Sequence, residues 1–431
     1  MKHFFEFEKY NTNYRQEIIA GLTTFATMSY IIIVNPAILE AAGIPKGPSM
    51  VATILSAAFG TLVMAFYAKR PFAIAPYMGA NTFIAYTVVK ILGYSWQTAL
   101  AAVFVGGVIF TLLTLLNVRS WLSKSFPMSL KNAFAVGIGM FIVLIGLVGS
   151  GLVVVGTAEA PLQLGNFRDP KVILLLIGFV VVVFLEIKKI PGSILITILF
   201  ISGLSIATGV SPAPEQIISM PPSIEPIFMK IDFVGAFSWD FISVIIAIFV
   251  MDFVDTMGTL IGLSIRANLL DENGELPEIK KPMLADALAT VAGSILGTST
   301  SGAYIESAAG IEAGGKTGFT AAVVAFLFLL SFFFSPLLTS IPQHAYAPAL
   351  LLVGVYMIEP VRRIDFDDYT EYVPATITIL LMCLTYNIGI GITAGFIFYV
   401  ILKTITGRWR EVHPGMWILS AISAIYYIFH P

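Results

Sequence analysis

Cysteine is nearly absent from this chain, and charge is scarce. A single cysteine, Cys383, among 431 residues excludes an internal disulfide and a cysteine-based metal cluster, and it reads as a small core side chain within an apolar run. Charged residues make up 12% against 57% hydrophobic, with a mean hydropathy of +0.89. No soluble domain of this length could cover its surface with so few polar groups. A formal net charge of -2 gives no electrostatic case for a nucleic-acid partner. The opening Met1-Lys2-His3-Phe4 runs into a polar stretch through Glu17 with no small-residue cleavage site after the first apolar run, so no removable signal is expected. His344 and His413 lie near the ends of apolar runs and read as interfacial residues, not proton relays.

The chain does have membrane-length apolar runs. Breaks at charges, prolines and glycines give fourteen candidate spans near 17-37, 49-68, 72-90, 96-116, 129-151, 171-186, 192-209, 236-261, 283-297, 299-314, 317-335, 345-358, 371-385 and 387-403. With both termini cytoplasmic, only Lys46, Lys90, Arg168, Lys171 and Lys230 of the 24 Lys and Arg fall outside, as positive-inside bias requires. One missed span would invert every later loop, so an even number is expected. The apolar tail from Met416 to His430 reads as an interfacial helix. The fold class is therefore an all-α polytopic membrane protein whose partner is the lipid bilayer.

Carboxylates interrupt two of these runs. Asp252 and Asp255 lie in the eighth and Glu306 in the tenth, and a charged carboxylate at mid-bilayer costs about 2.5 to 3.5 kcal/mol on insertion scales. Three of them with no Lys or Arg beside them mark a polar site for a small solute or a proton. The third span opens with prolines 71 and 76, which disfavour helix before Gly79. The tenth, seven spans later, opens with the Thr-, Ser- and Gly-rich stretch from Thr298 to Ala303. Both read as discontinuous spans, a short β-strand feeding a half-helix, and such a pair at matching positions points to a transporter site. Seven is odd, so the second half is inverted relative to the first. The two extended segments can satisfy their backbones at membrane depth by pairing with each other. Asn81, Ser301, Tyr304, Glu306 and Ser307 would lie at or near the half-helix starts, with Asn81 a possible cap. Asp252, Asp255 and Thr259 share one helix face that could complete the site. Thr24, Thr27 and Ser29 of the first span could line it, while Glu312 and Asp286 read as structural.

Four stretches carry a resemblance: Asp-Phe-Val-Asp-Thr-Met-Gly-Thr-Leu at 252 to 260, Gly-Ala-Asn at 79 to 81, Tyr-Ile-Glu-Ser-Ala-Ala-Gly at 304 to 310, and Ala-Gly-Leu-Thr-Thr-Phe at 20 to 25. Together they resemble the AzgA-like branch of the nucleobase:cation symporter-2 family over essentially the whole chain. The resemblance implies fourteen spans as two inverted repeats of seven, with spans 3 and 10 discontinuous. It implies a cytoplasmic segment 1-16, a core domain of spans 1-4 and 8-11 (17-117 and 236-335) and a gate domain of spans 5-7 and 12-14 (118-210 and 336-404). An extracellular linker at 211-235 and a cytoplasmic or interfacial segment at 405-431 complete the chain. Members carry nucleobases with protons, and this branch takes adenine, guanine and hypoxanthine. Glu306 matches the base-binding glutamate and Asp255 the acidic residue of the eighth span, while Asp252 and Asn81 match further polar positions. Pyrimidine-preferring relatives have Glu-His-Ile-Gly-His where this chain has Asp-Thr-Met-Gly-Thr from 255 to 259, which weakens a uracil assignment.

The residues suit that chemistry. A carboxylate accepts two hydrogen bonds side by side, matching the adjacent N1-H and amino donors of guanine. Tyr304 could stack on the planar base. The expected contacts are Glu306, Asp255, Asp252, Asn81, Gly79, Ala80, Tyr304, Ser307, Thr27 and Thr259, with Asp255 first and Asp252 second as proton carrier. No cofactor is expected; the coupling ion is taken as H+, with Na+ as alternative, and a plasma-membrane homodimer is plausible from the resemblance. Two rival readings are an anion carrier of similar architecture and a membrane-embedded prenyl transferase. The latter would hold Mg2+ through Asp252-x-x-Asp255 and the Asp365-Phe366-Asp367-Asp368 cluster, but its first pair lacks the basic neighbours that diphosphate needs.

Overall fold

The computed structural model describes residues 1-116, 125-157, 160-214, 216-236, 238, 241-269 and 276-429. Arg119 and Lys124, counted above as inside charges, and His430 at the end of the tail lie outside the described residues. Among the described residues nine helical stretches are long and apolar enough to cross a membrane: Tyr14–Glu40, Lys46–Ala68, Trp96–Leu115, Met128–Gly149, Pro170–Ile187, Val244–Arg266, Gly318–Thr339, Gln343–Arg363 and Ile388–Ile405. Ser193–Ala207 and Tyr369–Leu384 are shorter apolar helices. Lys280–Leu296, at the expected ninth span, begins with two lysines and carries Asp286. On Pro170–Ile187, Ile173, Ile177, Val180, Phe184 and Ile187 are exposed at helical spacing, a face suited to lipid.

The expected third and tenth spans are built in pieces. Ile74–Pro76 is a strand followed by the helix Met78–Thr82 and the wider π-helical turns Phe83–Ile91. Lys280–Leu296 stops at Gly297, whose φ of 97° admits the left-handed cap that a side chain would strain. The chain then forms the strand Ser301–Ala303 and the helix Ser307–Glu312. The two strands pair antiparallel, Ile74 opposite Ala303, Ala75 opposite Gly302 and Pro76 opposite Ser301. The Tyr77 and Tyr304 amides extend the ladder to the carbonyls of Thr300 and Ala73, both at 2.9 Å.

A two-stranded sheet buried in a membrane bundle has edges without backbone partners, and these need side-chain substitutes. Thr61 supplies one, its hydroxyl taking the Ile74 N-H at 2.9 Å and lying 3.1 Å from the Ile74 carbonyl. Thr290 does the same for Ser301, at 3.0 Å from both its N-H and its carbonyl oxygen. Each strand is thus stitched at its first residue to the helix before it.

Around the sheet, Tyr14–Met28, Lys46–Val63 and Trp96–Leu115 pack with Ile242–Arg266, Lys280–Leu296 and Gly318–Leu330, and Ile31–Glu40 packs on Lys46–Val63. Met128–Gly149, Pro170–Ile187, Ser193–Ala207, Gln343–Ile358, Tyr369–Leu384 and Ile388–Ile405 pack mainly with one another. Within this second group Gly139 and Gly354 meet so closely that a Cβ on Gly139 would stand 2.7 Å from the Gly354 carbonyl, the small-residue crossing typical of helices in lipid.

Candidate functional site

The site forms where the sheet, its two short helices and Ile242–Arg266 converge. Glu306 is the residue on which Ser307–Glu312 starts. Its Oε1 accepts the Tyr30 hydroxyl at 2.6 Å, and its backbone carbonyl lies 3.3 Å from the Thr27 hydroxyl. Each carboxylate oxygen has two lone pairs, so the Tyr30 bond orients Glu306 and leaves acceptor capacity on both oxygens. Tyr30 had not been anticipated; the available signal was its place three residues after Thr27, one helical turn along the same face.

Tyr77 and Tyr304 follow the two strands directly. Their rings lie parallel, 7° apart in plane with centroids separated by 6.2 Å. The Tyr304 hydroxyl donates to the Pro76 carbonyl, and the Tyr77 hydroxyl donates to the Ala303 carbonyl at 3.3 Å. Tyr77 also reaches Thr259, the two hydroxyls 3.4 Å apart. Tyr77 was likewise not singled out from sequence, although the Tyr after the extended segment recurs in both halves.

The two aspartates of Ile242–Arg266 have different surroundings. Asp255 is half-buried, and among the described residues its carboxylate takes no hydrogen bond; its backbone carbonyl accepts the Thr259 hydroxyl at 2.8 Å. Asp252, 1% exposed, turns toward Lys280–Leu296, where its Oδ2 lies 3.2 Å from the Thr290 hydroxyl while Oδ1 has no partner among the described residues. Asp252 is thus joined to the strand edge through Thr290.

Asn81 sits fully buried on Met78–Thr82, and neither its amide oxygen nor its nitrogen has a partner among the described residues. Buried amides are rarely left so. It does not cap this helix, as the sequence allowed: Tyr77 holds the capping position, and the Asn81 N-H bonds back to the Tyr77 carbonyl. Gly79 abuts the neighbouring bundle, since a Cβ there would stand 2.7 Å from Ile138 Cγ2, and Ala80 is buried beside it. The Ser307 hydroxyl accepts the Ala73 N-H at 3.0 Å and so serves the sheet. Thr24 and Ser29 are buried, and their hydroxyls have no partner among the described residues.

Outside the site, Glu312 pairs with Arg266, and His344 Nε2 lies 2.8 Å from the Ser205 hydroxyl. The Asp365–Asp368 loop is tied down by its own backbone and by Arg408: Asp365 accepts the Asp367 N-H at 3.0 Å, and Asp368 pairs with Arg408 at 2.5 Å.

A bundle of membrane-length helices holding carboxylates beside two broken spans has the form of a membrane transport protein. The chain belongs to the permease family, whose pattern matches residues 15–396. It is similar to the Bacillus subtilis guanine/hypoxanthine permease PbuG, 40% identical over all of both chains. It is also similar to the Escherichia coli adenine permease AdeQ, 39% identical over 99% of this chain and 95% of that one. The fold is shared with the transmembrane domain of the cyanobacterial bicarbonate transporter BicA, at a TM-score of 0.66 and 17% identity over 88% of this chain and 97% of that domain. These relatives make the chain a multi-pass membrane transporter of the nucleobase permease family, not a prenyl transferase or other enzyme.

Proposed function

We propose that this permease carries purine nucleobases, guanine and hypoxanthine or adenine, across the plasma membrane together with protons. The observation that carries this reading is the oriented Glu306 carboxylate: held through one oxygen by Tyr30, it keeps acceptor sites that match adjacent N-H donors on a purine edge. Relatives named as adenine and guanine/hypoxanthine permeases at 39 to 40% identity support the substrate class. Asn81, whose two amide atoms have no partner among the described residues, supplies a donor and an acceptor for the rest of the base. Asp255, partly accessible and with no hydrogen bond to its carboxylate among the described residues, is the proton carrier in this reading.

The architecture we infer is fourteen spans in two inverted repeats, with spans 3 and 10 discontinuous and both termini cytoplasmic. The stitching of Ile74 by Thr61 and of Ser301 by Thr290 repeats one device in both halves, which supports the repeat. A core of spans 1-4 and 8-11 carries the site and moves against a gate of spans 5-7 and 12-14 in alternating access. Coupling requires that base and proton raise each other's affinity.

The test is initial-rate uptake of labelled guanine, hypoxanthine, adenine and uracil into proteoliposomes with and without an inward proton gradient. Gradient-driven accumulation of a purine but not uracil is expected. Gradient-independent uptake points to Na+ or to facilitation, and bicarbonate uptake without any base uptake would replace the reading with an anion carrier.

A further inference from the structure

We infer that Asp286 is a positioning residue that acts as the hydrogen-bond acceptor for one edge amide of the central sheet, and through that bond fixes the segment leading to Glu306. The inference rests on the nucleobase reading only in what Glu306 is said to bind.

Asp286 is fully buried on Lys280–Leu296, one helical turn before Thr290. Its Oδ2 accepts the Ala303 N-H at 3.2 Å. Ala303 is two residues beyond Ser301, whose N-H and carbonyl Thr290 already holds, and three residues before Glu306. The two side chains therefore cover alternate outward-facing amides on one strand edge, as the pleat of a β-strand requires.

The other half of the molecule supplies an internal control. There Thr61 holds Ile74 as Thr290 holds Ser301. One turn before Thr61 the helix has Ala57, fully buried, where its counterpart has Asp286. The amide that an acid would serve is that of the residue two beyond Ile74, and this is Pro76, which has no N-H. An acid stands where a buried strand N-H needs an acceptor and an alanine where none exists. A carboxylate kept only as a carrier of charge or protons would not be expected to track the presence of a backbone N-H in this way.

If acceptance of the Ala303 N-H is the role, the oxygen matters and the charge does not. Four variants in the full-length protein separate the possibilities: Asp286→Asn, Asp286→Ala, Asp286→Ala combined with Ala303→Pro, and Ala303→Pro alone. Each is measured for melting temperature in detergent without any base, and for guanine binding as a function of pH. Asp286→Asn is expected to retain the wild-type melting temperature and the wild-type pH profile, because the amide oxygen still accepts. Asp286→Ala should melt lower and lose guanine affinity at least tenfold. Removing the orphaned N-H in the double variant should restore most of both. A folded Asp286→Asn that loses the pH dependence of binding, or a double variant no better than Asp286→Ala, overturns the inference. The base-free melting temperatures decide it even if the wild type binds no guanine, an outcome that would instead count against the proposed substrate.

Discussion

The hydroxyls of Tyr77 and Tyr304 each bond to the carbonyl of the residue that immediately precedes the other tyrosine: Tyr77 to Ala303, and Tyr304 to Pro76. Because the strands are antiparallel and centred on Ala75 and Gly302, the two side chains lean over the sheet from opposite corners and meet as parallel rings. The pair locks the two halves of the chain together at the place where each passes from strand to short helix. Glu306 follows Tyr304 by two residues and Asn81 follows Tyr77 by four, so the relationship fixes the separation of the proposed base contacts.

This lock depends on Gly302. A Cβ there would collide with the Tyr77 ring and its hydroxyl, and overpacking of this kind costs about 1 to 3 kcal/mol. Gly302→Ala is expected to lower the melting temperature and weaken guanine binding together. Gly203→Ala, at a helical glycine with open space around it, should leave both unchanged. Tyr77→Phe and Tyr304→Phe should each cost about 1 kcal/mol, the usual worth of one hydrogen bond, as measured by thermal unfolding in the same detergent.

Glu306 and Tyr30 should differ in the size of their effect. Hydrogen bonds to a charged group are worth about 1.5 to 3 kcal/mol each, so Glu306→Gln is expected to weaken guanine binding on the order of 10- to 100-fold and hypoxanthine binding less, since hypoxanthine lacks the amino donor. Glu306→Ala should abolish both. Tyr30→Phe keeps the carboxylate and loses only its orientation, for roughly a fivefold effect or about 1 kcal/mol. Isothermal titration with both bases checks the series; equal losses for guanine and hypoxanthine in Glu306→Gln would contradict the two-donor pose.

Much of this geometry was legible in the sequence because it rests on exclusions. Prolines 71 and 76 forbid a continuous helix, and carboxylates in apolar runs demand a polar site, so the extended segments and the places of Asp252, Asp255 and Glu306 could be read directly. Tyr304 could be picked out from its place at the start of a half-helix, but Tyr77 and Tyr30 could not, since a tyrosine in an apolar run is usually a packed residue whose hydroxyl has found some partner. The register of the sheet reveals that Tyr77 and Tyr304 answer each other, and the packing of the first span against the Glu306 segment reveals that Tyr30 serves Glu306. Asp252 and Asp255 lie on one helix face as expected, yet their neighbours differ because one meets Thr290 and the other does not, a distinction set by tertiary packing. The capping reading of Asn81 failed because the short helix begins at Met78, earlier than its proline-rich approach implied.

Away from the site, the segment after the last long helix makes a pH prediction. Glu411 receives Arg408 through both oxygens at 2.8 Å and Lys403 at 2.9 Å. These hydrogen bonds from Arg408 and then Lys403 hold its carboxyl down from 4.5 to about 2. A carboxyl depressed on folding contributes stability that is present above its unfolded value and is lost as the pH falls through its folded value. The melting temperature should therefore decline between pH 4.5 and about 2 in the wild type, and decline less over that range in Glu411→Gln. Melting curves of the two proteins across that range make the comparison, and parallel curves would remove Glu411 from the account.

Asp255 bears the main burden of the coupling proposal, and its surroundings make it testable separately from its neighbours. Glu306 is oriented by Tyr30 and Asp252 is held through Thr290, so neutralising either disturbs a hydrogen bond that positions something else. Asp255 takes no hydrogen bond from the described residues, so Asp255→Asn should leave the structure of the site intact. If its proton is the one exchanged, guanine affinity in the wild type will vary with pH, and by reciprocity bound guanine will raise the proton affinity by the same factor. In Asp255→Asn the affinity should stay within a few fold of the best wild-type value and become flat with pH, while proteoliposomes still equilibrate guanine but no longer concentrate it against a proton gradient. A variant that continues to concentrate guanine would move the proton elsewhere, first to Asp252, whose second oxygen is unpartnered among the described residues.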